Sequence, residues 1–198
     1  MRYTELPQER ILARINRGLE FRPSGVHVSD IIRDIENTVT KKGQRKGVAE
    51  LTEDEKNRMG VYTSMGWAWE LIIRPALRDV YFAGDDRFTV VGPVPCDGII
   101  GTPDGFDCDD YCLEEFKATW RSSRRDIVDD FWSWQVQMKA YCYMLGTQTA
   151  RLRVFFVNGD YRESGPQIKM WEFLYDDEEL RQNWTMLVNH AKGKGWLK

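Results

Sequence analysis

From Thr52 to His190 the spacing of apolar residues switches repeatedly between a helical and a strand-like period, and that alternation limits the chain to mixed architectures. Met59, Tyr62, Gly66, Trp69, Ile73 and Leu77 recur at steps of three and four, which predicts one buried stripe on a long helix. Thr52-Glu53-Asp54-Glu55 has the form of a capping box with acidic residues in the first turn, so the helix should begin there. Pro75 cannot donate to the Leu71 carbonyl and is expected to end or kink it. Short apolar runs follow at 87–91 and 96–100, and with 111–119 they predict a three-strand meander. The stretch 127–145 returns to a helix, stopped by Gly146. Two further strands are expected over 149–157 and 167–175, joined across Asn158 to Pro166. Acidic residues open the segment 176–190, where Leu180, Trp184, Leu187 and Val188 keep helical spacing, so a closing helix with a loose basic tail is predicted. The expected class is α/β, a central mixed β-sheet flanked by helices.

The chain has 198 residues, which suits one domain with a sizeable core better than two. The catalytic core is expected over about 52–175, with an N-terminal helical segment over 1–51 and the C-terminal helix over 176–198. In the N-terminal segment Leu6, Ile11, Leu12, Ile15 and Leu19 predict a short amphipathic helix. Ser29 is a good N-cap for a second helix to about Asn37, and such an end can also hold a phosphate. The basic, glycine-punctuated stretch 40–47 reads as a mobile loop. The first residues lack the apolar core of a signal peptide and no run approaches a membrane span, so a soluble, cytoplasmic protein without a membrane partner is expected. Four cysteines fit reduced thiols better than a disulfide framework, and Cys108 with Cys112 lacks the second pair a zinc site needs. A net charge of −3 argues against a globally basic nucleic-acid binder without excluding a local one.

Chemistry concentrates between Gly101 and Lys117. The strand expected at 111–119 puts Glu115 and Lys117 on one face, and Asp104 enters from the preceding turn. Two carboxylates and an ammonium at one point suit phosphodiester hydrolysis, because hard divalent ions take carboxylate and carbonyl oxygens and activate bound water. Glu-x-Lys alone is equally the pattern of a solvated pair on an amphipathic strand. Glu70, bordering the long helix's stripe one turn after Gly66, is a candidate third carboxylate. Gly66 itself would permit close approach of another element. Arg121, Arg124 and Arg125 follow the strand and could grip phosphate oxygens. Gln137 and Tyr141 lie four apart on one face of the next helix. Rival readings fail on position. A calcium loop from Asp104 needs glycine where Asp109 stands, His27 and His190 sit in no triad pattern, and Glu114 and Glu115 point to opposite faces, unlike a glycosidase pair.

Taken in order, a glycine and Glu70 on a helix, Asp104 after a strand, Glu115-Phe116-Lys117 on the next, then Gln137 and Tyr141 on a helix resemble the PD-(D/E)XK nuclease superfamily, in its RecB-like and phage-lambda-exonuclease-like branch. The likeness spans roughly 66–141. It implies a restriction-endonuclease-like core, with Glu70 as the helix acid, Asp104 and Glu115 as main metal ligands and Phe116 lending its backbone carbonyl. Lys117 becomes the catalytic lysine, and Gln137 and Tyr141 shape the site and contact DNA. One or two Mg²⁺ or Mn²⁺ ions are implied, with DNA as substrate and an exonuclease of phage recombination or DNA processing as the activity. A homo-oligomer and a single-strand-annealing or recombination partner are compatible with that type. A structure-selective endonuclease and a non-catalytic nucleic-acid-binding module remain alternatives. Cys108 and Cys112 lie between Asp104 and Glu115, and no cysteine follows Cys142, so no iron–sulfur cluster is expected. No Gly-rich phosphate loop ending in Gly-Lys-Ser or Gly-Lys-Thr is present, so neither is ATP.

Overall fold

The structure is a computed structural model that describes residues 24–39, 52–80, 88–89, 91–162 and 165–197. The helix expected over 5–19 and the loop over 40–47 lie outside the described residues.

The middle of the molecule is β6 (Cys112–Thr119), whose first five residues are all buried. A strand buried on both faces reads as a continuous run rather than an alternation, as here. It pairs antiparallel with β5 (Gly105–Asp107), and β5 with β2 (Phe88–Thr89). On its other side β6 runs parallel to β7 (Thr149–Phe156), with Glu115 opposite Leu152 and Lys117 opposite Val154. Parallel neighbours need a crossover, and α3 (Trp132–Leu145) provides it. The antiparallel edge strand β8 (Gln167–Leu174) completes the order β2-β5-β6-β7-β8. A second sheet, β1-β4-β3, joins β1 (Val26–His27), β4 (Ile99–Gly101) and β3 (Val94–Cys96). The α/β class with a mixed sheet flanked by helices is therefore the observed one.

Helices cover both faces. Leu113, Ala150, Leu152 and Val154 form the main core with α1 (Val28–Val39), α3 and α4 (Asp177–Gly193). Phe116 on the opposite face packs with Trp69, Ile73 and Leu77 of α2 (Glu53–Val80). On this second face Glu114, fully buried, receives Arg153 through Nε at 2.7 Å and Nη2 at 3.0 Å. Arg151 adds bonds to Asp107 at 3.1 Å and Glu172 at 2.8 Å. A buried charge is tolerated only when paired in this way.

Several expectations need correction. Pro75 does not end the long helix, which continues to Val80. Leu71, whose carbonyl loses its helical donor, is 75% exposed, so water can take the donor's place, while Ile73 and Leu77 are anchored on either side of the proline. The buried stripe is shorter than predicted, because Tyr62 is exposed and a Cβ at Gly66 would meet nothing among the described residues within 4 Å. Among those residues no element makes the close approach expected at Gly66. The meander is not one sheet. The run at 96–100 is interrupted by Asp97 and Gly98, both at positive φ (47° and 78°), which form the two-residue turn between β3 and β4. Helix α3 starts at Trp132 rather than Ile127, because the Asp126 carboxylate accepts the N–H groups of Val128 and Asp129 and keeps that stretch in turns. Ser29 is the second residue of α1 and not the residue before it. The C-terminal tail is docked: His190 and Lys194 both reach Asp34 of α1 at 2.7 Å, and Leu197 packs on the core. Among the described residues no helix is long and apolar enough to cross a membrane.

Candidate active site

β5 stops pairing with β6 at Gly105, and continuing its register would set Pro103 opposite Phe116. The Asp104 side chain supplies the missing acceptor: its Oδ2 takes the Phe116 N–H at 2.8 Å. That bond fixes the turn carboxylate against the middle of β6, beside Glu115. Burial pushes the Asp104 carboxyl up, against the pull of Lys117, the Phe116 N–H and Arg74.

Glu115 is 1% exposed, on the face of β6 that points into the main core. The Lys117 ammonium lies 2.5 Å from its Oε1, and Oε2 is buried without a hydrogen-bond partner. Burial foremost, then the charge of Asp104, pushes its carboxyl up to about 8 despite Lys117. Burial opposes the Lys117 ammonium, but Glu115 and Asp104 outweigh it and push that group up as well. Glu70 arrives from α2, held by Arg74 one turn on at 2.9 Å. It too is pushed up, by burial and then by Asp104. Three carboxylates thus share one field, opposed by two cations. A buried excess of negative charge favours either protons or a further cation.

From α3, Gln137 donates to the Tyr141 hydroxyl at 2.8 Å. Burial, then the Glu115 charge, pushes that phenol up to about 12, so it keeps its proton at neutral pH. The structure therefore brings Glu70, Asp104, Glu115 and Lys117 within mutual electrostatic reach, with Tyr141 in the field of the last three and Gln137 attached to it.

The acids do not form a ready-made cage. Among the described residues no three His, Cys, Asp or Glu side chains are grouped so as to hold a metal ion. Arg74 and Lys117 instead engage Glu70 and Glu115. The residues nevertheless suit a hard divalent ion in kind, since they offer carboxylate oxygens and one of these, Glu115 Oε2, is buried and unmatched.

The arginines after β6 already have partners. Arg121 donates to the Asp130 carbonyl at 2.8 Å and lies over the Phe131 ring, Arg124 meets Asp160 at 3.1 Å, and Arg125 meets Asp130 at 2.8 Å. Ser29 is half-buried in the first turn of α1.

Two residues of the site went unread in the sequence. Arg74 binds Glu70 and also donates to the Asp104 carbonyl at 3.3 Å, so it ties α2 to the turn. Its place four residues after Glu70 was the available signal. At Gly101 a Cβ would stand 2.6 Å from Met144 Sδ and 3.1 Å from the Tyr141 ring, so only glycine lets β4 approach α3 without displacement. A glycine closing a short apolar run was its signal.

No protein-family model matches the chain, and no curated protein matches it either. Among solved structures it is similar to SSO0001, with a TM-score of 0.55 and 12% identity over 97% of this chain and 89% of that one. An alkaline exonuclease from Laribacter hongkongensis superposes with a TM-score of 0.45 and 15% identity, covering 95% of this chain and 94% of that one. A phage-related exonuclease from Haemophilus somnus 129PT gives 0.46 and 15%, covering 90% and 95%. At such identities the likeness to SSO0001 is one of fold alone.

Proposed function

We propose that this chain is a metal-dependent DNA nuclease that hydrolyses phosphodiester bonds, of the PD-(D/E)XK type and its RecB-like, phage-lambda-exonuclease-like branch. The observation that carries the reading is Glu115, a nearly inaccessible carboxylate with Lys117 on one oxygen, nothing on the other, and Asp104 and Glu70 in its field. Buried polar oxygens are as a rule matched, so an unmatched one beside an ion pair supports a ligand at that oxygen.

Glu70, Asp104 and Glu115, with the Phe116 carbonyl, would hold one or two Mg²⁺ or Mn²⁺ ions. Bound there, such an ion supplies Lewis-acid polarisation of the phosphate and a water acidic enough to attack it. The rest falls to the chain's own groups. Lys117 would turn its ammonium from Glu115 toward the phosphate and stabilise the charge that develops there. Tyr141, neutral and oriented by Gln137, would offer a hydroxyl proton to an oxygen of the strand. Arg121, Arg124 and Arg125 would exchange their carboxylate and carbonyl partners for backbone phosphates, and the first turn of α1 with Ser29 would hold another. An exonuclease of phage recombination or DNA processing, acting in the cytoplasm, fits this equipment.

The test is cleavage of end-labelled linear and of circular DNA with Mg²⁺, Mn²⁺ or EDTA, for the wild type and Lys117→Ala. Metal-dependent loss of linear DNA alone, abolished by the substitution with folding intact, supports the exonuclease. Cutting of circles assigns a structure-selective endonuclease instead. Binding without cleavage under every metal leaves a non-catalytic nucleic-acid-binding module.

A further inference from the structure

Among the described residues two buried side-chain polar atoms have no hydrogen-bond partner, Glu115 Oε2 and Arg74 Nε. They belong to the same site. Glu115 lies in the field of Asp104 and Glu70, and Arg74 is bonded to Glu70 at 2.9 Å and to the Asp104 carbonyl at 3.3 Å. One orphan is an acceptor on an anion and the other a donor on a cation. They cannot satisfy each other where they stand, and a buried polar atom left unmatched is unfavourable. A cation answers the first; the second calls for an anionic oxygen.

We propose that Arg74, whose side chain is 30% exposed, is a substrate-binding residue, whose guanidinium takes a phosphate oxygen of the DNA strand through the donors that Glu70 and the Asp104 carbonyl leave over. The assignment rests on the nuclease reading and adds to it a group outside the acid, lysine, glutamine and tyrosine set. Arg74 Nη2 is already committed to Glu70 and Asp104, which fixes the guanidinium plane. A guanidinium held in this way presents its remaining donors in a set direction, which an ammonium on a flexible stem does not. The fixed fork suits an oxygen-rich anion lying against the carboxylates, and a phosphodiester is such an anion. The competing account makes Arg74 only a strut between α2 and the Asp104 turn, and it leaves the buried Nε unexplained.

The two accounts separate in measurements that need no catalysis. Binding of a short fluorescent duplex in EDTA is followed by anisotropy across a salt series, for the wild type and Arg74→Gln, with thermal unfolding as the control on folding. Loss of one phosphate contact should weaken binding roughly tenfold and make the slope of log affinity against log salt shallower by about 0.9. Mn²⁺ binding to the DNA-free protein should stay within about threefold of wild type or tighten, because Glu70 is released from its cation. An unchanged salt slope together with weakened Mn²⁺ binding would overturn the assignment and leave the strut. If Arg74→Gln unfolds, Arg74→Met keeps the apolar stem and is read in the same way. Cleavage by the wild type with an unchanged slope in the variant sinks Arg74 and leaves the nuclease standing. A shallower slope in a protein that never cuts does the reverse, and a wild type that neither binds nor cuts DNA removes both.

Discussion

Lys117 Nζ stands 2.5 Å from Glu115 Oε1, while the other oxygen of that carboxylate is buried with no partner. The proposed ion would take that second oxygen. Glu115→Gln keeps the shape and removes the charge, so the DNA-free variant should stay folded and lose its thermal stabilisation by Mn²⁺. Cleavage should fall by roughly 10²-fold or more, since the charge carries both ion binding and the placing of Lys117. Differential scanning fluorimetry with and without Mn²⁺ checks the first part. An Mn²⁺ shift as large as that of wild type would remove Glu115 from the ligand set.

The same residue sets a pH dependence. The Glu115 carboxyl is pushed up to about 8 from an ordinary value of 4.5, chiefly by burial. Between those values the folded ion-free protein binds a proton that the unfolded chain has released, so its stability falls as pH rises through this window. Ion affinity should move the opposite way, because binding displaces that proton. Thermal unfolding in EDTA from about pH 5 to about pH 9 should show a falling midpoint, flatter in Glu115→Gln. A wild-type midpoint that rises through the same range would contradict the buried, protonated acid.

The order of these acids along the chain was legible because each sits where local rules speak. Period two aligned Glu115 with Lys117, and the turn before the strand located Asp104. The long helix was legible through its capping box and the spacing of Trp69, Ile73 and Leu77. Much of what was missed depends on neighbours distant in sequence. Pro75 is tolerated because Leu71 faces solvent, a fact of tertiary packing that helix propensity does not contain. The tail docks because Asp34 lies 156 residues before His190 and attracts it together with Lys194. The second partner of Arg74 is not readable from helix spacing, because only the folded turn brings the Asp104 carbonyl to it. The split of 94–101 into a hairpin was local and readable: Asp97-Gly98 between apolar residues is a two-residue turn signal.

Gly101 should tolerate no side chain. A Cβ there would stand 2.6 Å from Met144 Sδ and 3.1 Å from the Tyr141 ring, and both belong to α3. Met144 is flexible and can yield; the Tyr141 ring carries the hydroxyl that Gln137 orients. Gly101→Ala is therefore expected to destabilise the protein by about 1–3 kcal/mol. In a Met144→Ala background, which makes room at the sulfur, the same Gly101→Ala change should cost less than it does in the wild type. Chemical denaturation of the single and double variants measures both. Equal stability of Gly101→Ala and wild type would mean that β4 and α3 stand further apart than described.

On the face of β6 opposite the site, Glu114 is fully buried and held by two bonds from Arg153. Removing Arg153 takes away both hydrogen bonds and leaves the buried carboxylate only the Arg151 guanidinium at 3.6 Å, so Arg153→Met should cost roughly 3 kcal/mol. Removing both charges, as in Glu114→Gln with Arg153→Met, should cost much less, because no uncompensated charge remains. Glu114 is next to Glu115 in sequence but points away from it, so the double variant should keep the Mn²⁺ shift of the wild type. If the double variant folds and binds Mn²⁺ normally, the pair's role is confined to supporting the strand. If it folds but loses the ion, the two faces of β6 are coupled, and the position of Glu115 depends on how Glu114 is held.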